Sequence, residues 1–232
     1  LGYTEFDNPA YNHTYEDMNG TTAFISRGVN AAFSRGIISV NSAGNSGNSS
    51  WHYVSAPADA INALTVGAVN ASGNIADFSS RGFETSSYIK PDVAAQGVAS
   101  VLSNTNGTIA TANGTSFSSP ITAGMVASLW QALPYKTNAE LIQLIKESSS
   151  QYTNPDYEKG YGIPDFNQAL INGTLGESKD FSIYPNPAND VVHIKANSAI
   201  NSIEIYDVQG RIIHKKITNV KNEVLDVSNL IF

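Results

Sequence analysis

The sequence predicts an α/β protein whose helices flank a largely parallel sheet, followed by a small, incomplete all-β sandwich module. Up to residue 171, short apolar runs alternate with segments of helical period, which is typical of strands and helices in a parallel sheet. Residues 181–232 instead carry short alternating segments separated by turn residues, as a β-sandwich does. Residues 172–180 lie between the two patterns and have the composition of a linker.

The elements of the first part follow from local spacing. Apolar residues predict an amphipathic helix over 21–35, which Gly36 ends. The pair Thr137 and Glu140 has capping-box spacing at the start of a later helix. Strands or extended segments are predicted from short β-branched runs at 37–43, 63–69 and 90–95. The second module has predicted strands at 181–184, 191–195, 202–207 and 211–214, too few to close a sandwich well.

Composition excludes several function classes. The 232 residues carry a net charge of −7, so the basic excess needed to bind nucleic acid is missing. The absence of cysteine excludes disulfides and thiolate chemistry within these residues. No apolar run approaches the roughly 20 residues of a membrane-spanning helix, so no transmembrane segment is predicted. The chain begins at Leu1 within patterned sequence, and we interpret it as a fragment of a longer protein.

Residues 113–120 read Asn-Gly-Thr-Ser-Phe-Ser-Ser-Pro and precede an apolar run over 121–133. Pro120 suits the first turn of a helix, and the mixture of large apolar and small residues predicts that this helix is buried. Ser116 would then lie just before the positive end of the helix, where unpaired N–H groups favour an oxygen nucleophile and the oxyanion it creates. The alternative is an ordinary N-cap.

The longer string resembles the nucleophile motif of the subtilisin-like serine peptidases, the subtilases, and this resemblance implies that Ser116 is the nucleophile. Residues 41–47 resemble the Ala-Gly-Asn block of the same family, which implies that the Asn45 side chain donates to the oxyanion. By itself, Asn45 could simply supply a turn after a strand. Further blocks that match in family order, and are interpreted as scaffold, lie at 65–68, 78–82, 90–93 and 160–165.

Two glycines are candidates for substrate binding. Residues 1–2 resemble the end of the Ser-Leu-Gly segment that pairs with substrate in subtilases, which implies that Gly2 and Gly44 form opposite walls of a pocket for a polypeptide substrate. Glycines are also commonplace in loops, so an ordinary turn role stays open for both.

A serine hydroxyl needs a base, and that base needs an orienting partner. The Asp-Thr/Ser-Gly and His-Gly-Thr blocks of the subtilases do not occur in these residues. The resemblance therefore implies that the triad Asp and His lie upstream, and that residues 1–232 alone are almost inactive. His13 with Glu16 and Asp17 matches no metal-ligand spacing. No cofactor is predicted; many subtilases bind calcium, but no complete carboxylate loop for it is recognisable.

Residues 182–190 and 205–211 contain Tyr-Pro-Asn-Pro and Asp-x-x-Gly-Arg elements. They resemble the type IX secretion sorting domain of Bacteroidota, here truncated. The resemblance implies an interaction with that secretion machinery, export of the protein, and a secreted or outer-membrane cell-surface location. A substrate-binding β-sandwich is the alternative for this module.

Together these features predict an exported subtilisin-like serine endopeptidase. The rival hypothesis is a catalytically dead, cell-surface binding protein built on a degenerated subtilase scaffold. Retention of both the Ser116 and Asn45 motifs argues against this rival, because a lost activity gives no reason to keep them. A purely structural β-domain protein would explain only residues 181–232.

Overall fold

A computed structural model describes residues 2–84, 86–175, 181–185, 187–207 and 209–230. The chain divides into two compact units, Leu1–Asn172 and Gly173–Phe232. After a 3₁₀ turn at Pro9–Tyr11, the elements in chain order are α1 (Phe24–Phe33), β1 (Val40–Ser42), β2 (Leu64–Val69), β3 (Val93–Gln96), β4 (Ser100–Ser103), β5 (Ile109–Ala112), α2 (Thr115–Ala132), α3 (Asn138–Glu147), α4 (Phe166–Leu175), β6 (Phe181–Tyr184), β7 (Val191–Tyr206) and β8 (Ile212–Asp226).

The first unit is built on a parallel sheet, which confirms the predicted α/β class. Its strand order is β1-β2-β3, with both pairs parallel. All six residues of β2 are buried, as expected of a central strand covered on both faces. Helices α2, α3 and α4 contribute to the same apolar core, whose buried members are Leu64, Val66, Val93, Val126, Leu129, Leu133, Leu141, Ile145 and Ala169. The carboxyl ends of the three strands therefore meet at one edge, where ligands bind in sheets of this kind.

A buried charge cluster fixes the opposite end of this sheet. The Nζ of Lys90 lies 2.6 Å from an Asp92 carboxylate oxygen and 2.7 Å from the Ala63 carbonyl oxygen. The Nζ of Lys146, on α3, lies 2.6 Å from the other Asp92 oxygen. Burial lowers the pKa of Lys90, and the charge of Asp92 opposes that shift. The cluster thus joins the starts of β2 and β3 to α3.

Helix α2 begins earlier than the proline predicts. It starts at Thr115 with Gly114 as its N-cap, so Pro120 lies inside the helix. The prediction that Pro120 belongs to the first turn is therefore wrong, and Ser116 lies within the first turn rather than before it. Gly114 has a φ of 152° and makes the sharp change from strand to helix. Pro120 has no N–H to donate to the Ser116 carbonyl, so the helix lacks this hydrogen bond.

The predicted burial of this helix is also only half right. Val126 and Leu129 are buried against the sheet, whereas Ile121 is 48% and Met125 43% exposed. Their face lies away from the described core. Apolar residues occur on all sides of this helix, but only one side is buried.

Other sequence predictions differ from the structure mainly in their boundaries. The capping box at Thr137 is confirmed, with both of its hydrogen bonds to Glu140 present. Helix α1 is shorter than predicted and stops before Gly36, whose φ is +83°. Helix α4 continues to Leu175, into the segment predicted as a linker. The rest of that segment, 176–180, lies outside the described residues.

The second unit is a three-stranded antiparallel sheet in the order β6-β7-β8, in agreement with the predicted all-β module. The predicted strands at 191–195 and 202–207 belong to the single strand β7. Register shifts between Lys195 and Ser202 let one long strand bend instead of ending. In the described part of the chain, no helix has the length and apolarity needed to cross a bilayer.

Candidate active site

Ser116 is exposed on the first turn of α2. The antiparallel hairpin β4–β5, which the sequence does not predict, runs directly into this turn. The N–H of Gly114 donates to the Gly97 carbonyl at 2.8 Å, and the Asn113 side-chain oxygen accepts from the N–H of Ala99 at 2.8 Å. These bonds fix the backbone immediately before Ser116, so the hydroxyl is presented from a rigid turn.

Asn45 follows β1 and reaches the same turn from 70 positions away. Its Oδ1 accepts from the N–H and from the Oγ1 hydroxyl of Thr115, both at 2.9 Å. A backbone N–H can only donate, which establishes that the oxygen of the amide faces α2. The Nδ2 group is therefore not the one bonded to Thr115, and it lies 3.4 Å from where a Cβ on Gly114 would stand. The structure thus brings an amide donor beside the turn that carries Ser116.

The two glycines predicted to bind substrate contact different segments. Gly44 has a φ of +108°, and a Cβ there would lie 2.8 Å from the Ser80 hydroxyl oxygen. Its N–H donates to Thr115 Oγ1 at 3.2 Å. A Cβ on Gly2 would lie 2.5 Å from the Ser55 hydroxyl oxygen. The positive φ thus favours glycine at Gly44, and a serine hydroxyl leaves little room for a side chain at either position; a pocket between the two glycines stays a prediction.

An open groove of about 590 Å³ adjoins Ser116. It lies between α2 and β1, which forms an outer strand of the sheet. Its lining residues are Tyr3, Ile25, Val40, Asn41, Ser42, Pro57, Ser116, Ser119, Pro120 and Ala123. The groove is mostly apolar and gives direct access to the Ser116 hydroxyl.

None of the four histidines lines this groove. His13 lies 3.9 Å from the Asp17 carboxylate, and the ring of His52 hydrogen-bonds to the carbonyl of Gly47. His193 and His214 belong to strands of the second unit. Among the described residues, no three His, Asp or Glu side chains converge in a way that could hold a metal ion. Among the described residues of the first unit, the lining of this groove thus contains the Ser116 hydroxyl but no imidazole.

Two family models match this chain. Residues 6–162 match the model of the Subtilase family, and residues 182–231 match that of the Secretion system C-terminal sorting domain. Subtilisin E of Bacillus subtilis (strain 168) is 37% identical over 145 residues, which are 62% of this chain and 36% of the relative. Subtilisin of Bacillus pumilus is 36% identical over 145 residues, covering 62% and 50%. The chain thus spans between a third and a half of these curated relatives.

Two solved structures share the fold. The self-cleaved protease domain of PatA has a TM-score of 0.54 at 23% identity, covering 64% of this chain and 54% of that one. A protease of Pseudoalteromonas arctica PAMC 21717 has a TM-score of 0.51 at 24% identity, covering 63% of this chain and 46% of that one.

The sorting domain marks the protein for secretion or display at the cell surface. The fold, the Ser116 turn and the match over residues 6–162 lead to one conclusion: the chain belongs to the subtilase family of serine peptidases.

Proposed function

We propose that the complete protein is an exported serine endopeptidase in which Ser116 attacks the scissile carbonyl of polypeptide substrates. The observation that carries this proposal is the orientation of the Asn45 amide. Because Thr115 occupies its oxygen, the amide can only present N–H groups to a ligand beside Ser116. A donor held in this way suits an oxygen that becomes charged during acyl transfer.

The chemistry follows from the polarity of the turn. Attack by the Ser116 hydroxyl converts the planar carbonyl into a tetrahedral adduct whose oxygen carries negative charge. The Nδ2 of Asn45 and the N–H of Ser116, a first-turn group that has no partner within the helix, would hold this oxyanion. The positive end of α2 adds to the stabilisation. Since the amide is neutral, its interaction strengthens mainly in the transition state, where it increases kcat.

The proton of Ser116 requires a base. We propose that this base is a His oriented by an Asp, and that both lie in sequence that precedes residue 1. The His would reach Ser116 through the groove between β1 and α2. The groove is open, and its volume of about 590 Å³ is large enough for side chains to enter. The relatives are two to three times longer than the matched region, which leaves ample chain for such a segment.

Substrate binding and export complete the proposal. A polypeptide substrate would lie as an extended strand beside Gly2 and Gly44, both of which leave room for its main chain. The type IX secretion machinery would recognise the second unit, which matches a sorting domain. The proposal includes no cofactor for the chemical step.

This proposal is tested by comparing hydrolysis of an unfolded polypeptide by the complete protein and by the separate polypeptide 1–232. We expect the complete protein to cleave it and the shorter polypeptide, shown to be folded by circular dichroism, to be slower by about 10⁴-fold or more, because it lacks a base. Similar rates would contradict the placement of the base. A complete protein that binds the polypeptide without cleaving it would instead support the degenerated binding scaffold.

A further inference from the structure

Ser80 lies beneath the loop that carries Asn45. It belongs to the segment after β2 that returns towards the end of β1, and only 1% of the residue is exposed. Its N–H donates to the Gly44 carbonyl at 2.9 Å. Its hydroxyl oxygen accepts from the N–H of Ser46 at 2.9 Å. The residues on both sides of Asn45 are therefore bonded to this one serine.

The hydroxyl of Ser80 also fills the space that a side chain on Gly44 would need. Contact with Ser80 limits how far the loop can move in that direction. On the other side, Thr115 holds the Asn45 amide oxygen and the Gly44 N–H. Asn45 is thus located by two separate supports, of which Thr115 orients the amide and Ser80 holds its backbone.

We propose that Ser80 is a positioning residue for the oxyanion donor Asn45, an inference that rests on the proposed function. Without the Ser80 hydroxyl, the N–H of Ser46 has no acceptor at that position and the loop gains freedom to shift. A displacement of about 1 Å at a catalytic group can reduce turnover by about 10²-fold. Loss of one hydrogen bond that acts indirectly should cost less, about 10-fold in kcat.

Ser79 provides a matched control. It is adjacent to Ser80 and is 0% exposed. Its hydroxyl oxygen also accepts from a backbone N–H, that of Ala68 at 3.0 Å. Ala68 lies in β2 and not in the loop of Asn45, so the hydroxyl groups of the two serines hold different segments.

The experiment uses the complete protein and measures kcat and KM on a chromogenic peptide for Ser80→Ala and Ser79→Ala, each with Asn45 intact and with Asn45→Ala. We expect Ser80→Ala to lower kcat about 10-fold with KM nearly unchanged, and Ser79→Ala to leave kcat within about twofold. In the Asn45→Ala background, Ser80→Ala should have no further effect on kcat, because the group that it positions is gone. Thermal unfolding of each variant measures the structural contribution separately.

Three outcomes would overturn the inference: equal losses of kcat in Ser79→Ala and Ser80→Ala, an undiminished effect of Ser80→Ala without Asn45, or a kcat that Ser80→Ala leaves unchanged. If Ser80→Ala does not fold, the nearly isosteric Ser80→Cys replaces the oxygen by a weak acceptor and should show the same dependence on Asn45. An Asn45→Ala variant with unchanged kcat would refute the proposed function itself. A reduced kcat in Asn45→Ala with a silent Ser80→Ala would refute only the role of Ser80.

Discussion

Replacing Ser116 by Ala is expected to abolish the endopeptidase activity of the complete protein, with a loss in kcat of about 10⁶-fold. This magnitude is that of subtilisin, in which removal of the nucleophile has such an effect. The physical reason is that alanine has no hydroxyl with which to attack the scissile carbonyl. Substrate binding should persist, because the groove beside α2 remains. Initial rates on an unfolded polypeptide measure the loss.

Ser128→Ala is the matched control for this variant. Ser128 lies on the same helix, is exposed, and bonds to the Gly124 carbonyl at 3.0 Å. We expect its replacement to leave kcat within about twofold, as for most surface substitutions. A Ser116→Ala protein that keeps more than a tenth of the activity would exclude Ser116 as the nucleophile.

Replacing Asn45 is expected to lower kcat by about 10² to 10³-fold while changing KM little. The range is again that of subtilisin, when one oxyanion donor is removed. Asn45→Ala also leaves the N–H of Thr115 without its acceptor, and this change alone destabilises the fold. Steady-state kinetics and a melting curve of the same preparation separate the two effects.

The Asn45→Asp variant separates the effect on kcat from the effect on stability more clearly. A carboxylate still accepts from Thr115, but it has no N–H to donate and places negative charge beside the developing oxyanion. We expect kcat to fall at least as far as in Asn45→Ala, with a smaller loss of thermal stability. Activity close to that of the unchanged protein in Asn45→Asp would show that the amide is not the donor.

The position of Asn45 at the binding edge could be predicted, because it follows the strand predicted at 37–43 and the carboxyl ends of parallel strands meet at one edge. Its convergence with Ser116 was implied by the family resemblance alone, because the strand before Ser116 belongs to the hairpin β4–β5, outside the parallel sheet. The alternation of apolar runs and helical segments was sufficient to identify that sheet. Apolar runs and helical spacing are local, periodic features of the sequence, so the sheet can be predicted from the sequence alone.

The support of the site could not be predicted in the same way. The bonds from Ser80 to the Asn45 loop join segments that are distant in the chain, and Ser-Ser pairs carry no signal that distinguishes them from ordinary turns. The start of α2 was misplaced because a proline inside a helix imitates one at its first turn. The exposed faces of Ile121 and Met125 were missed because composition alone does not reveal which side of a helix is covered.

The most direct test of the central claim is the site of covalent modification by a fluorophosphonate probe in the complete, active protein, located by mass spectrometry. Phosphonylation on the Ser116 oxygen, with loss of hydrolytic activity in proportion to the modified fraction, is the expected result. Complete inactivation with the phosphonyl group on any other residue, and Ser116 recovered unmodified, would contradict the account.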